Sequence, residues 1–187
     1  MRKIGFTAAL VLSGLTPAMA EVGELSVSAD YCTILRAFTD AASPECPAPT
    51  FAGRPRGLQA APPGLPEVER GYFVRFAFDS ADLTPAFQDH LKSLSTVFAS
   101  GALQDLCFKL VGHTDTRGAP SYNMALSHER AKSVRLFLAA LGQVDIGRVQ
   151  VEGRGETEPL TGRAGDDAYN RRVEILARPA EGAVCNS

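Results

Sequence analysis

The chain has 187 residues, 45% hydrophobic, 21% charged and 7% aromatic, a length that suits one domain with accessory segments. Its 19 Lys and Arg face 21 Asp and Glu, and setting aside Arg2 and Lys3 of the acid-free residues 1–20 leaves 17 against 21. An acidic balance without basic runs argues against nucleic-acid binding by phosphate neutralisation, and ordinary glycine content argues against collagen-like or low-complexity chains.

Residues 1–20 read as an export signal. Arg2 and Lys3 precede an apolar run from Ile4 to Leu12, and Ala18-Met19-Ala20 is a small-x-small cleavage pattern. The run is too short to span a bilayer, which takes roughly 20 apolar residues, and no later stretch is a spanning candidate. Glu21, not Cys, follows the expected cut, so no lipid-modified N-terminus is expected. Export turns Cys32, Cys46, Cys107 and Cys185 into disulfide candidates. Four cysteines allow three pairings. Locality favours Cys32–Cys46, which leaves Cys107–Cys185, although the sequence does not choose between pairings. No CxxC spacing supports zinc or thioredoxin-type chemistry.

The short N-terminal segment 21–43 holds one helix candidate within 28–42. Ser28 or Asp30 would cap it, and Ile34, Leu35 and Phe38 form its apolar stripe. So short a helix needs a disulfide staple, or a docking surface on the main domain or on a partner. Residues 44–68 form a proline-rich linker, with seven prolines between Pro44 and Pro66.

The main domain spans 69–180. Tyr72, Val74, Phe76 and Phe78 alternate with Phe73, Arg75 and Ala77, which predicts a strand. Thr84-Pro85 predicts a helix start with the Thr hydroxyl as cap, and Gly101 its end; Phe87, Leu91, Leu94 and Phe98 form its stripe. Leu106 to Val111 reads as a strand. Residues 121–141 read as a long helix with Leu126, Val134, Leu138 and Leu141 inward and Gly142 as its stop. Arg148 to Val151 and Arg172 to Ala177 complete the strands, with a small helix near 164–170. The order predicts a two-layer βαβαββ α/β sandwich, helices packed on a mixed sheet. A tail, 181–187, carries Cys185.

The most informative stretch is Gly112-His113-Thr114-Asp115-Thr116-Arg117-Gly118, followed by Tyr122-Asn123, Leu126-Ser127 and Arg130-Ala131. A strand ends at Gly112, a turn puts Asp115 at its mouth, and a helix carries Arg130 past that mouth. An acid and an arginine facing one recess can hold a zwitterion, the planar guanidinium taking the carboxylate through two parallel donors. His113 is read as a structural hydrogen-bonding residue. His90 and His128 lie on predicted helices in no HxxxH or HxH pattern, so no metal site is expected.

These residues closely resemble the OmpA-like peptidoglycan-binding domain, found also in peptidoglycan-associated lipoproteins and flagellar stator proteins. The resemblance covers residues 72–178. Besides the stretch above it includes Phe76-Ala77-Phe78-Asp79-Ser80 with Leu83, Gly153-x-Gly155-Glu156-x-x-Pro159, and Asn170-Arg171-Arg172-Val173-Glu174. It implies non-catalytic binding of peptidoglycan through meso-diaminopimelate of the stem peptide, with Asp115 receiving the ammonium and Arg130 the carboxylate. Phe78, Asp79, Asn123 and Arg171 would line the pocket, and Arg171 or Arg172 would pair with an acid to hold the last strand. The implied location is the periplasm, where the chain would tether the wall to the outer membrane or an envelope assembly. Too few residues precede the domain for an eight-stranded barrel, so attachment to the outer membrane would be indirect, through an envelope partner bound by residues 21–68, or absent. No cofactor is implied. Two alternatives compete: a subunit of an envelope complex whose main role lies in the N-terminal segment, and a cell-wall hydrolase. The second lacks GxSxG and HExxH motifs, and Arg130 beside Asp79 and Asp115 would keep both carboxylates ionised.

Overall fold

A computed structural model describes residues 28–39, 46, 70–180 and 185. The expected export signal, most of the proline-rich linker and most of the C-terminal tail lie outside the described residues.

The first element is a helix, α1 (Tyr31–Phe38), started by Asp30, whose carboxylate accepts from the Thr33 N–H at 2.8 Å. It is shorter than the 28–42 allowance, and it docks on its own domain. Ile34, Leu35 and Phe38 are buried, and the Phe38 ring meets Phe98 and Phe108 edge to face, at 5.2 and 6.1 Å between centroids. Disulfides join Cys32 to Cys46 and Cys107 to Cys185.

The strands are β1 (Arg70–Arg75), β2 (Leu106–Gly112), β3 (Val149–Gly153) and β4 (Arg172–Pro179). Their order in the sheet is β1-β4-β2-β3, with β4 antiparallel to both neighbours and β2 parallel to β3. Two helices, α2 (Pro85–Phe98) and α3 (Pro120–Leu141), complete the expected mixed-sheet sandwich. The core cluster joins Val74, Phe108, Leu110, Val173 and Ile175 of the sheet to Leu91, Leu94 and Phe98 of α2 and Val134 and Leu138 of α3.

Several local expectations are corrected. The first strand stops at Arg75 rather than running to Phe78, because the chain turns through Phe78 and Asp79, and Asp79 adopts φ 53°. Thr84 occupies the position before α2, but its side chain makes no capping hydrogen bond. Gly101 does not end α2: the helix stops at Phe98, and Gly101 opens a 3-10 turn, Gly101–Leu103, that buries Leu103. Gly142 does terminate α3, in the left-handed conformation at φ 66°.

The largest departure is the inner face of α3. Its second half buries Val134 and Leu138, but its first half buries Asn123, Ser127 and Arg130, while Leu126 and Leu141 are only partly buried. Two glycines make this approach. A Cβ on Gly112 would lie 1.8 Å from the Ser127 carbonyl oxygen, and one on Gly153 would lie 2.6 Å from Ser127 Oγ. The polar half of α3 therefore presses directly on the ends of β2 and β3.

Candidate functional site

The C-terminal ends of β1, β2 and β3 meet the start of β4 at one end of the sheet. A cavity of about 170 Å³ opens there. Its walls come from the β1–α2 turn (Phe78, Asp79), the β2–α3 loop (Thr114, Asp115, Arg117, Gly118), the first turns of α3 (Tyr122, Asn123, Leu126, Arg130) and Arg171 ahead of β4. All six residues expected from the sequence line it.

Backbone bonds fix the walls. His113 N–H donates to Arg172 O, Thr114 N–H to Gly155 O and Thr116 N–H to Gly165 O, at 2.8, 2.8 and 3.0 Å. Ser127 Oγ accepts from Gly155 N–H at 2.9 Å and donates to Met124 O at 2.8 Å. Asn123 Nδ2 donates to the carbonyls of Asp115 and Arg117 and reaches the Glu156 carboxylate, so this buried amide shapes the loop as well as lining the cavity.

Arg130 is fully buried yet makes no ion pair among the described residues. Its Nε donates to Ser80 O at 2.8 Å, Nη1 to His113 O at 2.9 Å and Nη2 to Ala77 O at 3.1 Å. A guanidinium carries five N–H donors, so two remain beyond these three carbonyls. Burial, followed by repulsion from Arg171, lowers its pKa to about 10, against the pull of Asp115 and Asp79. It is thus a cation at neutral pH, held by neutral carbonyl dipoles.

Asp115 is 2% exposed and is not paired with Arg130. Its Oδ2 accepts from Arg171 Nη1 at 2.9 Å and from Arg117 Nη2 and Nε at 2.7 and 3.2 Å, and Oδ1 accepts from the Arg117 N–H at 3.2 Å. Burial opposes its ionisation, but the bonds from Arg117 and Arg171 outweigh it and hold the carboxyl below the usual range. The expectation that Arg130 keeps this acid ionised is corrected accordingly: Arg117 and Arg171 do so.

Arg171 and Arg172 divide the work expected of one arginine. Arg171 pairs with Asp115 and donates through Nε to Phe76 O at 3.2 Å, whereas Arg172 pairs with Glu174 at 2.6 Å within β4. Asp79, at its positive φ, accepts from the Tyr122 hydroxyl at 2.6 Å, which raises the Tyr122 pKa. His113 is corrected too. Its backbone is hydrogen-bonded, but neither ring nitrogen is, although Nε2 lies 3.5 Å from a Glu174 oxygen. Burial first, then Arg172 and Arg154, lower its pKa to about 3, so the ring is neutral.

Sequence reasoning missed Arg117, Tyr122, Thr114 and Leu126 as lining residues. Arg117 had a signal, since an arginine two residues after an acid in a tight turn can fold back onto it. Thr114 is 4% exposed, and its Oγ1 has no hydrogen-bond partner.

A mixed βαβαββ sheet with a charged recess where strand ends meet a polar helix face defines the class of fold. Residues 75–172 match the OmpA family model, and the chain belongs to that family. It is 35% identical to outer membrane protein A of Klebsiella pneumoniae over 113 residues, covering 54% of this chain and 33% of that protein. The chain thus spans about a third of that relative's length. The peptidoglycan-associated lipoprotein of Burkholderia pseudomallei superposes with a TM-score of 0.50 at 30% identity, covering 57% of this chain and 89% of that one. The OmpA-like domain of FopA1 from Francisella tularensis shares the fold, with a TM-score of 0.53 at 24% identity over 58% of this chain and 72% of that one.

Proposed function

We propose that the chain binds peptidoglycan without cleaving it, by holding the zwitterionic head group of meso-diaminopimelate in the cavity at the strand ends. Asp115 takes the ammonium and Arg130 the carboxylate; Arg171 orients Asp115, Asn123 shapes the loop, and Phe78 and Asp79 form the outer wall. One observation carries this reading. A buried acid and a buried arginine line the same cavity without being bonded to each other, and the arginine donates to three carbonyls and pairs directly with no carboxylate among the described residues. A buried cation with unspent donors and no carboxylate bonded to it among the described residues favours a carboxylate in that cavity. The similarity to a peptidoglycan-associated lipoprotein supports the same class of ligand.

The protein acts in the periplasm as a wall tether, joined to the outer membrane or to an envelope assembly by a partner bound through residues 21–68. Within that segment α1 offers a partner only its outward side, because Ile34, Leu35 and Phe38 are spent on the core. Co-sedimentation of Asp115→Asn with diaminopimelate-containing sacculi tests the site. Removing one partner of a desolvated charge contact costs about 2–5 kcal/mol, so the variant should stay in the supernatant while wild type pellets. A variant that pellets like wild type would refute the assignment.

A further inference from the structure

Of the three cations in the cavity, two are fixed and one is not. Arg130 is fully buried on three carbonyls, and the Arg171 side chain, 14% exposed, is held at both Phe76 O and Asp115. The Arg117 side chain is 49% exposed; its guanidinium holds Asp115 Oδ2 and stacks 4.5 Å over the exposed Phe78 ring. We propose that Arg117 is a built-in stand-in for the ligand's ammonium group, seated on Asp115 until a zwitterionic head group binds and displaces it. This rests on the reading of the cavity given above and adds how its selectivity arises.

Three features allow the exchange. Asp115 keeps a cationic partner throughout, because Arg171 stays bonded to the same carboxylate oxygen. The loop does not depend on the departing side chain, since the Arg117 N–H donates to Asp115 Oδ1 and its carbonyl accepts from Asn123 Nδ2 at 3.1 Å. The released guanidinium also has a second carboxylate to turn to, because Asp166 already acts on it electrostatically.

Charge balance favours the exchange for one ligand chemistry. With Arg117 seated, three arginines face Asp79 and Asp115; with it swung out, two cations face two carboxylates. The balanced cavity suits a ligand that brings one charge of each sign. A simple carboxylate can approach Arg130 but brings no cation to take over the seat on Asp115. Arg117 thereby makes the site select an amino-acid head group over a plain acid.

Titration of the full chain with diaminopimelate, followed by NMR, tests this. Removing a competitor should tighten binding, so Arg117→Ala should bind about two- to fivefold more tightly than wild type, the scale of a partly exposed ion pair. Arg117→Lys, which offers one point charge in place of a fork, should fall between them. On saturation of wild type, the Arg117 Nε–H resonance should move from its hydrogen-bonded position to that of a solvent-exposed guanidinium. Equal or weaker binding by Arg117→Ala, or an unmoved Nε–H resonance, overturns the displacement while leaving the site intact. A wild type that binds neither diaminopimelate nor sacculi overturns the functional reading itself.

Discussion

Arg130 and His113 are two buried groups with opposite solutions to the same problem. Arg130 stays charged because backbone carbonyls replace its water, so its removal leaves the oxygens of Ala77, Ser80 and His113 unsatisfied. Arg130→Ala should therefore lose about 2–5 kcal/mol of stability in urea unfolding as well as wall binding. Arg130→Lys keeps a cation but loses the fork; it should fold and still fail to pellet with sacculi. His113 gives up its charge instead. Its pKa falls from 6.5 to about 3 on folding, so the unfolded chain binds a proton that the folded one refuses. The contribution is complete above pH 6.5 and is lost as pH falls from there towards 3. Between pH 7 and 5 this should cost about 2 kcal/mol, read as a falling urea midpoint, and His113→Gln should flatten the slope. An unchanged slope would mean that Glu174, 3.5 Å from Nε2, lets the ring charge in place.

At the scale of elements, α1 and α3 show where sequence patterning is informative and where it is not. Strand and helix existence followed from alternation and apolar spacing, because burying one face of each element leaves that periodic trace. The polar half of α3 left none: Asn123, Ser127 and Arg130 continue the stripe of Val134 and Leu138 at helical spacing, but as polar residues they leave no apolar trace of it. Only the motif, and the glycines at 112 and 153 that admit the helix, marked that face. Gly112→Ala would drive a methyl into the Ser127 backbone. It should cost about 1–3 kcal/mol and weaken wall binding, since α3 carries one whole side of the cavity. For α1, the sequence predicted the apolar stripe but could not say whether a partner or the domain covers it. Phe98 and Phe108, distant in sequence, cover it. Replacing Cys32 and Cys46 together by Ser should lower stability by about 2–4 kcal/mol but spare binding, because α1 packs on Phe108, near the start of β2, while the cavity lies beyond its end at Gly112.

Across the whole molecule, the two disulfides and the sheet tie segments from both ends of the chain to one body, with the charged cavity at one end of it. The candidate site was legible as a set of residues, since Phe78, Asp79, Asp115, Asn123, Arg130 and Arg171 do converge. Its wiring was not legible. Which arginine neutralises Asp115 depends on loop geometry at 113–118 and on β4 lying between β1 and β2, and local spacing encodes neither. If Asp115 and Arg130 divide one zwitterionic head group between them, as proposed, both of its charges must be present for tight binding. Lysine-type stem peptides lack the second carboxylate. The direct measurement is quantitative co-sedimentation of the wild-type chain with sacculi of the two stem types at one ionic strength. Strong retention by diaminopimelate-type walls and little or none by lysine-type walls is the result expected; equal retention by both would contradict the account.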